Sequence, residues 1–296
     1  MSKQPELFSP LLGRFCPIAL MDSFSLKFHM TSFNRTAGDY IAVASIYYSG
    51  KRMNAAPIPV GTIKPGEMLA VHQEDVFKKA GLQDQPNGQT RMVIIHMVPK
   101  DYVDSTKAYD APLSMPLNAL FAQQKGSDCF VDYLDSTGVP AMAVGYQGPL
   151  INRVRQNAAE PNSCLFQGAK CIVSKHHRSY VLNYNFAPYL DYTDAARAVI
   201  SVYDEKGNLV SKSSETVPAF DFRLIEIGAG LNQTETPSFL NIIGTALDVG
   251  LLPFSIVENT KNKTYFIEHG VVPTRYIIGV SPKQRYSAVQ FIQDSL

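Results

Sequence analysis

The densest group of side chains that could bind a ligand or a metal ion is Lys175-His176-His177-Arg178. It directly precedes an alternating apolar segment, so we expect it at the start of a strand. Successive side chains of a strand point to opposite faces, and two adjacent histidines therefore do not easily share one metal ion. Four donors in a row suit an anion. We therefore predict ligand binding by His176, His177 and Arg178, with an exposed basic turn as the simpler interpretation.

A second group is Glu268-His269-Gly270, which follows a predicted strand near the end of the sequence. A histidine beside a carboxylate can act as a general base or a metal ligand. In the internal alignment described below, Tyr146 takes the place of His269, and such a difference can mark the half that has specialised. Glu268, His269 and Tyr146 are the predicted catalytic residues, and Arg275 is a further ligand-binding candidate. The alternative is that His269 only binds a loop carbonyl.

Tyrosine is abundant, with 15 residues, and Tyr184 lies within a predicted strand. Aromatic side chains on β-sandwiches bind sugars and other flat or apolar molecules. Tyr184 is therefore a predicted ligand-binding residue, and a small apolar or aromatic molecule is the candidate ligand. Ordinary strand composition also explains the tyrosines. The chain has no tryptophan, which argues against a carbohydrate ligand.

Motifs of known chemistry are missing from the sequence. There is no Gly-x-Ser-x-Gly nucleophile elbow, no phosphate-binding P-loop and no Gly-x-Gly-x-x-Gly. Cys164 and Cys171, together with the histidines, could supply metal ligands, but their spacing matches no standard zinc motif. These two cysteines could instead meet across a hairpin. Neither a cofactor nor a particular metal can be named from the sequence.

An internal repeat indicates which elements position these residues. Residues 24–47 align without a gap to residues 180–203. Leu26 aligns with Leu182, and Ala42-Val43 aligns with the identical pair Ala198-Val199. Most matches fall on alternate residues, as on one face of a strand. A repeat of about half the chain predicts two related domains.

Alternation and β-branched or aromatic runs predict strands in most of the chain. The predicted strands are 24–30, 40–48, 91–98, 130–134, 141–146, 180–186, 196–203, 222–227, 254–258, 264–269 and 275–280. Helical signals are few. Gln73–Ala80 followed by a glycine is one candidate, and 116–125 and 237–249 are two more, because each begins with proline. Turn-forming residues at 49–50, 204–208 and 259–263 separate strands.

These patterns together predict an all-β fold of two tandem homologous β-sandwich domains with a few short helices. We place the domains at 1–150 and 151–296, with a linker at 148–161. On the preferred alignment, residues near 82–110, which carry the segment MVIIHMV, are an insertion in the first domain. A rival alignment puts MVIIHMV opposite 254–258, and the sequence does not decide between the two.

Composition limits the partners that the protein can have. The chain has 296 residues, a net charge of +1 and 18% charged residues. A net charge near zero provides no global field to attract nucleic acid. Few charges leave much neutral surface, which favours a homo-oligomer or a protein partner. No apolar run is long enough to span a membrane, and no signal peptide is visible. We therefore expect a cytoplasmic protein.

The leading hypothesis is a non-enzymatic binding or assembly protein that acts through an inter-domain or oligomer surface. Duplication, low charge, many aromatic residues and missing catalytic motifs motivate it. One alternative is an enzyme with a His/Glu/Tyr site at the domain interface or sandwich rim, acting on a small apolar or aromatic molecule. The other is a metal-binding sandwich.

Overall fold

The computed structural model describes residues 16–21, 23–32, 38–53, 57–82, 91–106, 127–147, 163–167, 171–185, 193, 195–231, 234–247 and 252–269. Over these ranges the chain is an all-β protein with several antiparallel, sandwich-like sheets and short helices. Its contacts divide it into two compact units, Met1–Leu150 with Pro188–Tyr192, and Ile151–Ala187 with Thr193–Leu296. Neither helix in the described part approaches the length and hydropathy needed to cross a bilayer.

The described residues of the first unit form two sheets and two helices. Its strands are β1 (Cys16–Leu20), β2 (Ser25–Ser32), β3 (Tyr40–Tyr48), β4 (Lys51–Arg52), β5 (Ile58–Ile63), β6 (Met68–His72), β7 (Arg91–Pro99), β8 (Ser127–Leu134) and β9 (Pro140–Gln147), and its helices are α1 (Gln73–Ala80) and α2 (Lys100–Thr106). One sheet has the order β1-β7-β3-β4, and β5 also pairs with β3. The other sheet has the order β6-β2-β8-β9.

Two sheets are also present in the part of the second unit that the structure describes. Its strands are β10 (Ser163–Gln167), β11 (Cys171–Val173), β12 (His177–Asn185), β13 (Ala196–Tyr203), β14 (Leu209–Val217), β15 (Asp221–Ile227), β16 (Ser238–Leu247), β17 (Leu252–Asn259) and β18 (Thr264–His269). One sheet has the order β10-β16-β13-β14, and β11 also pairs with β16. The other has the order β15-β12-β17-β18. At the end of the first of these sheets, β14 is exposed along nearly its whole length.

The strands follow the same order in the two units. β7 lies between β1 and β3 as β16 lies between β10 and β13, and β2 lies between β6 and β8 as β12 lies between β15 and β17. The segment MVIIHMV forms β7 and therefore has the sheet position of β16. The insertion expected near 82–110 is wrong, and so is the rival alignment with 254–258, because pairing with β3 fixes the place of β7.

The core of the second unit lies between its two sheets. Val181 of β12 packs there with residues from five other strands, among them Cys171, Ala198, Ile200, Val217, Ile227 and Ile242. Four residues further along β12, the side chain of Asn185 donates from Nδ2 to the carbonyl oxygen of Val217, at 2.9 Å. Residues two or four apart on a strand share a face, so Val181 and Asn185 mark the side of β12 that faces the core.

The opposite side of β12 is buried as well. Leu182 and Tyr184 are both fully buried. The Tyr184 ring packs edge-on against Phe254, with ring centroids 5.5 Å apart and an interplanar angle of 84°. β2 differs, since Leu26 and Phe28 are fully buried whereas the alternate residues Lys27 and His29 are half-buried.

One predicted helix is wrong. Residues 237–249 contain β16, which pairs with β13, β10 and β11. Its buried residues alternate as in a strand: Leu240 and Ile242 lie in the core, while Phe239 is 42% exposed. Proline before the first strand residue is compatible with a strand because it removes no ladder hydrogen bond there. A proline followed by a short apolar run is therefore compatible with a strand as well as with a helix.

Several smaller predictions can also be compared with the structure. The helix Gln73–Ala80 is confirmed, and it ends at Gly81, whose φ of 67° lies in the left-handed region. The helix 116–125, the linker 148–161 and the strand 275–280 lie outside the described residues. The hairpin contact of Cys164 with Cys171 is wrong. The two residues pair with Ala246 and Leu240 of one strand, so about 20 Å separates them.

Candidate binding surface

The predicted group at 175–178 lies at the tight turn that joins β11 to β12. Lys175 and His176 form the turn, and His177 and Arg178 are the first two residues of β12. The backbone N–H of Ser174 donates to the His177 carbonyl at 3.1 Å, and the reverse bond measures 3.3 Å. The hairpin therefore holds its four polar residues at one end of the sheet β15-β12-β17-β18.

Two other loops are hydrogen-bonded to this turn. The Lys175 N–H donates to the carbonyl oxygen of Thr234 at 2.9 Å, and the Thr260 N–H donates to that of His176 at 2.8 Å. The Glu235 carboxylate contacts both turn residues: Oε1 lies 2.9 Å from Lys175 Nζ, and Oε2 lies 3.2 Å from His176 Nε2. We call the segments 174–177, 234–236 and 259–263 the loop end of the second unit.

His177 has a hydrogen bond at each ring nitrogen. Its Nδ1 lies 2.8 Å from Ser174 Oγ, and its Nε2 lies 3.3 Å from Asn259 Nδ2. Because an amide nitrogen only donates, Nε2 accepts, and Nδ1 is assigned as the donor to Ser174. His177 therefore joins the β11–β12 turn to β17, which is a positioning role within the loop end.

A row of tyrosine and charged side chains adjoins the loop end. Glu258 of β17 accepts a hydrogen bond from Tyr180 of β12 at 3.2 Å and another from Tyr265 of β18 at 3.3 Å, on different oxygens. Arg178 lies directly opposite Glu258 in the strand register. Lys263 Nζ is 3.9 Å from Glu258. We call Arg178, Tyr180, Glu258 and Tyr265 the tyrosine patch.

Local electrostatics keep the polar groups of this region in defined protonation states. Burial and the nearby Glu258 carboxylate raise the pKa of both Tyr180 and Tyr265 above the ordinary value. Each phenol therefore keeps its proton at neutral pH and can donate to Glu258. At the loop end, the hydrogen bond from Lys175 lowers the pKa of Glu235, with His176 contributing less. Glu235 is thus a carboxylate that contacts both Lys175 and His176.

The remaining predicted site residues lie elsewhere. Glu268 is exposed and opposite Ser255, and His269 is the last residue of β18, about 14 Å along the strand from Tyr265. Tyr146 lies in β9 of the first unit, opposite Cys129. Arg275 lies outside the described residues. Tyr184 is in the buried interior beside β17 and not in the tyrosine patch.

Two contacts in the structure join residues that are distant in the sequence and were not predicted. Glu258 and Tyr265 lie about 80 residues from Tyr180, and only the strand register brings them together. In the first unit, His29 Nε2 lies 2.8 Å from Asp132 Oδ2, a contact that sequence spacing also hides. Within the described ranges, no group of three or more His, Cys, Asp or Glu residues could hold a metal ion.

Comparison with protein families and with curated proteins finds no match. Solved structures similar to the chain include a β-glucuronidase of Bacteroides uniformis, with 13% identity over 87% of this chain and 26% of that one, and a TM-score of 0.18. The BSP domain of a biofilm-associated protein has 10% identity, 90% and 57% coverage, and a TM-score of 0.25. The chain spans about a quarter of the glucuronidase's length. At such TM-scores, these likenesses carry no argument about function.

Proposed function

We propose that the chain is a non-enzymatic binding or assembly protein, and that the loop end and tyrosine patch of the second unit form its binding surface. The observation that supports this best is the pair of tyrosines held by one carboxylate. Because Tyr180 and Tyr265 both donate to Glu258, their rings are positioned before any partner arrives. Fixed aromatic side chains lose little conformational entropy on binding.

The composition of this surface fits a protein partner, and a second copy of the chain is the first candidate. Tyrosine and arginine are enriched in the energetically important parts of protein interfaces. Lys263 Nζ lies 3.9 Å from Glu258 of the tyrosine patch, and Lys175 and Lys261 lie in the loop end. Charges at the rim of an interface steer association. A cytoplasmic homo-oligomer is the form of this proposal that agrees with the low charge of the whole chain.

The bonding of the histidines favours binding over proton transfer. A general base needs a ring nitrogen within reach of the substrate. Both nitrogens of His177 are bonded within the loop end, and Nε2 of His176 contacts Glu235. These contacts make the two side chains part of a fixed surface.

We further propose that the two units arose by duplication and correspond to the domains 1–150 and 151–296. The equal strand order of their sheets supports this. An enzymatic function is the second candidate, because a histidine oriented by a carboxylate, as His29 is by Asp132 at 2.8 Å, is the arrangement that general-base catalysis uses.

Native mass spectrometry of the untagged protein tests the proposed binding surface. We expect the wild type to carry a second copy or another bound partner, and the double variant Tyr180→Ala/Tyr265→Ala to bind it at least about tenfold more weakly, since aromatic anchors contribute about 2 kcal/mol or more each. The matched control is Lys212→Ala/Glu215→Ala on the exposed strand β14, which should bind as the wild type does. A bare monomeric wild type, or a folded double variant with unchanged binding, would contradict the proposal.

A further inference from the structure

The interior of the second unit contains a side-chain amide that is not satisfied by its described surroundings. Asn183 of β12 is fully buried. Neither its Nδ2 nor its Oδ1 has a hydrogen-bond partner among the described residues. Buried polar groups in folded proteins are nearly always paired, either with protein groups or with ordered water. An amide that is unpaired on both atoms therefore indicates a binding site for a small polar group.

The direction of the Asn183 side chain follows from its neighbours on β12. Val181, two residues before it, packs in the core between the sheets. Asn185, two residues after it, donates across the sandwich to the Val217 carbonyl. Since residues two apart on a strand share a face, Asn183 also points into the space between the two sheets.

Polar residues lie beside Asn183 on the same face of the sheet. Arg223 of β15 is directly opposite Asn183, and Asp221 is opposite Asn185. Arg223 NH1 is 3.0 Å from Asp221 Oδ2 and 2.8 Å from the Phe222 carbonyl oxygen. Asp221 is buried, and burial raises the pKa of its carboxyl group. The amide thus belongs to a polar region inside the sandwich, where a further polar occupant can find hydrogen-bond partners.

The chemistry of the amide restricts what can occupy the site. The Nδ2 group is a donor with two hydrogens, and Oδ1 is an acceptor. An anion could satisfy only Nδ2, and a cation could satisfy only Oδ1. A hydroxyl group both accepts and donates, and water is its smallest form, needing two to four polar partners in a buried site.

We infer that Asn183 binds a hydroxyl-type group between the two sheets of the second unit, supplied either by an internal water molecule or by the hydroxyl of a small molecule. Either source would accept from Nδ2 and donate to Oδ1. The site is independent of the tyrosine patch, since it lies on the core-facing side of β12 whereas Tyr180 and Arg178 lie on the opposite side.

Two measurements on the full-length protein test this inference. A high-resolution crystal structure of the wild type should show an ordered oxygen within about 3 Å of both Asn183 atoms. Magnetic relaxation dispersion of water oxygen-17 counts long-lived internal water molecules. We expect Asn183→Leu, which keeps a similar shape, to lower that count by one. The matched control, Ser213→Ala on exposed β14, should leave the count unchanged.

Native mass spectrometry distinguishes the two sources of the hydroxyl group. A small molecule that the wild type retains and Asn183→Leu releases identifies the source as that molecule, and a bare wild type with one water fewer in the variant identifies it as water. If Asn183→Leu does not fold, the wild-type crystal structure decides alone. A wild type with no ordered oxygen at the amide, or a folded variant with unchanged water count and mass, overturns the inference.

Discussion

His176 and His177 are neighbours in the chain, yet their side chains have different physical roles. His177 is half-buried, and its two ring nitrogens join Ser174 to Asn259. The ring of His176 contacts the exposed carboxylate of Glu235. Exposed contacts with a carboxylate contribute little to stability, whereas removing His177 takes one hydrogen bond from Ser174 and one from Asn259.

This difference makes a prediction about stability. His177→Ala should lower the free energy of unfolding by about 1–3 kcal/mol, because Ser174 and Asn259 each lose a partner. His176→Ala should lower it by less than about 1 kcal/mol. Urea denaturation of both variants measures the two values under one condition. Equal losses would show that His177 does not hold the loop end together.

The residues of the candidate surface were only partly predictable. His176, His177 and Arg178 are adjacent in the sequence, so their joint placement could be inferred directly. Glu258 and Tyr265 could not be found in this way, because their contact with Tyr180 depends on the register of three strands. Tyr184 was expected to bind a ligand, but its side chain is fully buried. Residue type alone does not show that both faces of a strand are covered.

At the scale of elements, β16 shows where sequence patterns are ambiguous. Its segment SFLNIIGTAL begins after a proline and carries several apolar residues, which suits the first turn of a helix as well as a strand. The outcome depends on pairing with strands on both edges, which are distant in sequence. In contrast, the bounds of β3, β13 and β18 agree with the predicted ones, because each is a β-branched or aromatic run that adjoins a clear turn signal.

The strand geometry of β16 predicts a difference between two nearby positions. Ile242 lies in the core, and Phe239 is 42% exposed. Ile242→Ala should therefore reduce the free energy of unfolding by about 2–5 kcal/mol, and Phe239→Ala by less than about 1 kcal/mol. A helix would bring these two positions, three residues apart, to the same face. If chemical denaturation shows similar losses of unfolding free energy for the two variants, the strand assignment is contradicted.

For the whole molecule, the all-β class was predictable because alternation extends over most of the chain. The relation between the two halves, which the internal repeat predicts, stays a prediction. The correspondence of individual strands was not predictable, since the segments between the matched passages differ in length and composition. The MVIIHMV strand shows this, because its position became clear only from its pairing with β3 and β1.

Two units with separate sheets should lose their structure separately. Ile200 and Ile46 are fully buried in the second and first unit, respectively. We expect Ile200→Asp to abolish hydrogen-exchange protection in β12–β18, because it puts a charge into that core, and to leave β2, β3 and β7 protected. Ile46→Asp should give the reverse pattern by mass spectrometry. Loss of protection throughout the chain in both variants would refute two independently folding domains.

The burial of both sides of β12 also bears on how freely the sequence can change over evolutionary time. A strand with one half-buried face, such as β2, leaves its alternate positions more open to substitution. From Val181 to Asn185 every residue of β12 is buried, so drift is restricted at consecutive positions. Exposed β14, with six successive exposed residues from Ser211 to Thr216, lies at the other extreme. In homologues that diverge from this chain, the sequence of β12 should therefore be conserved and that of β14 should vary.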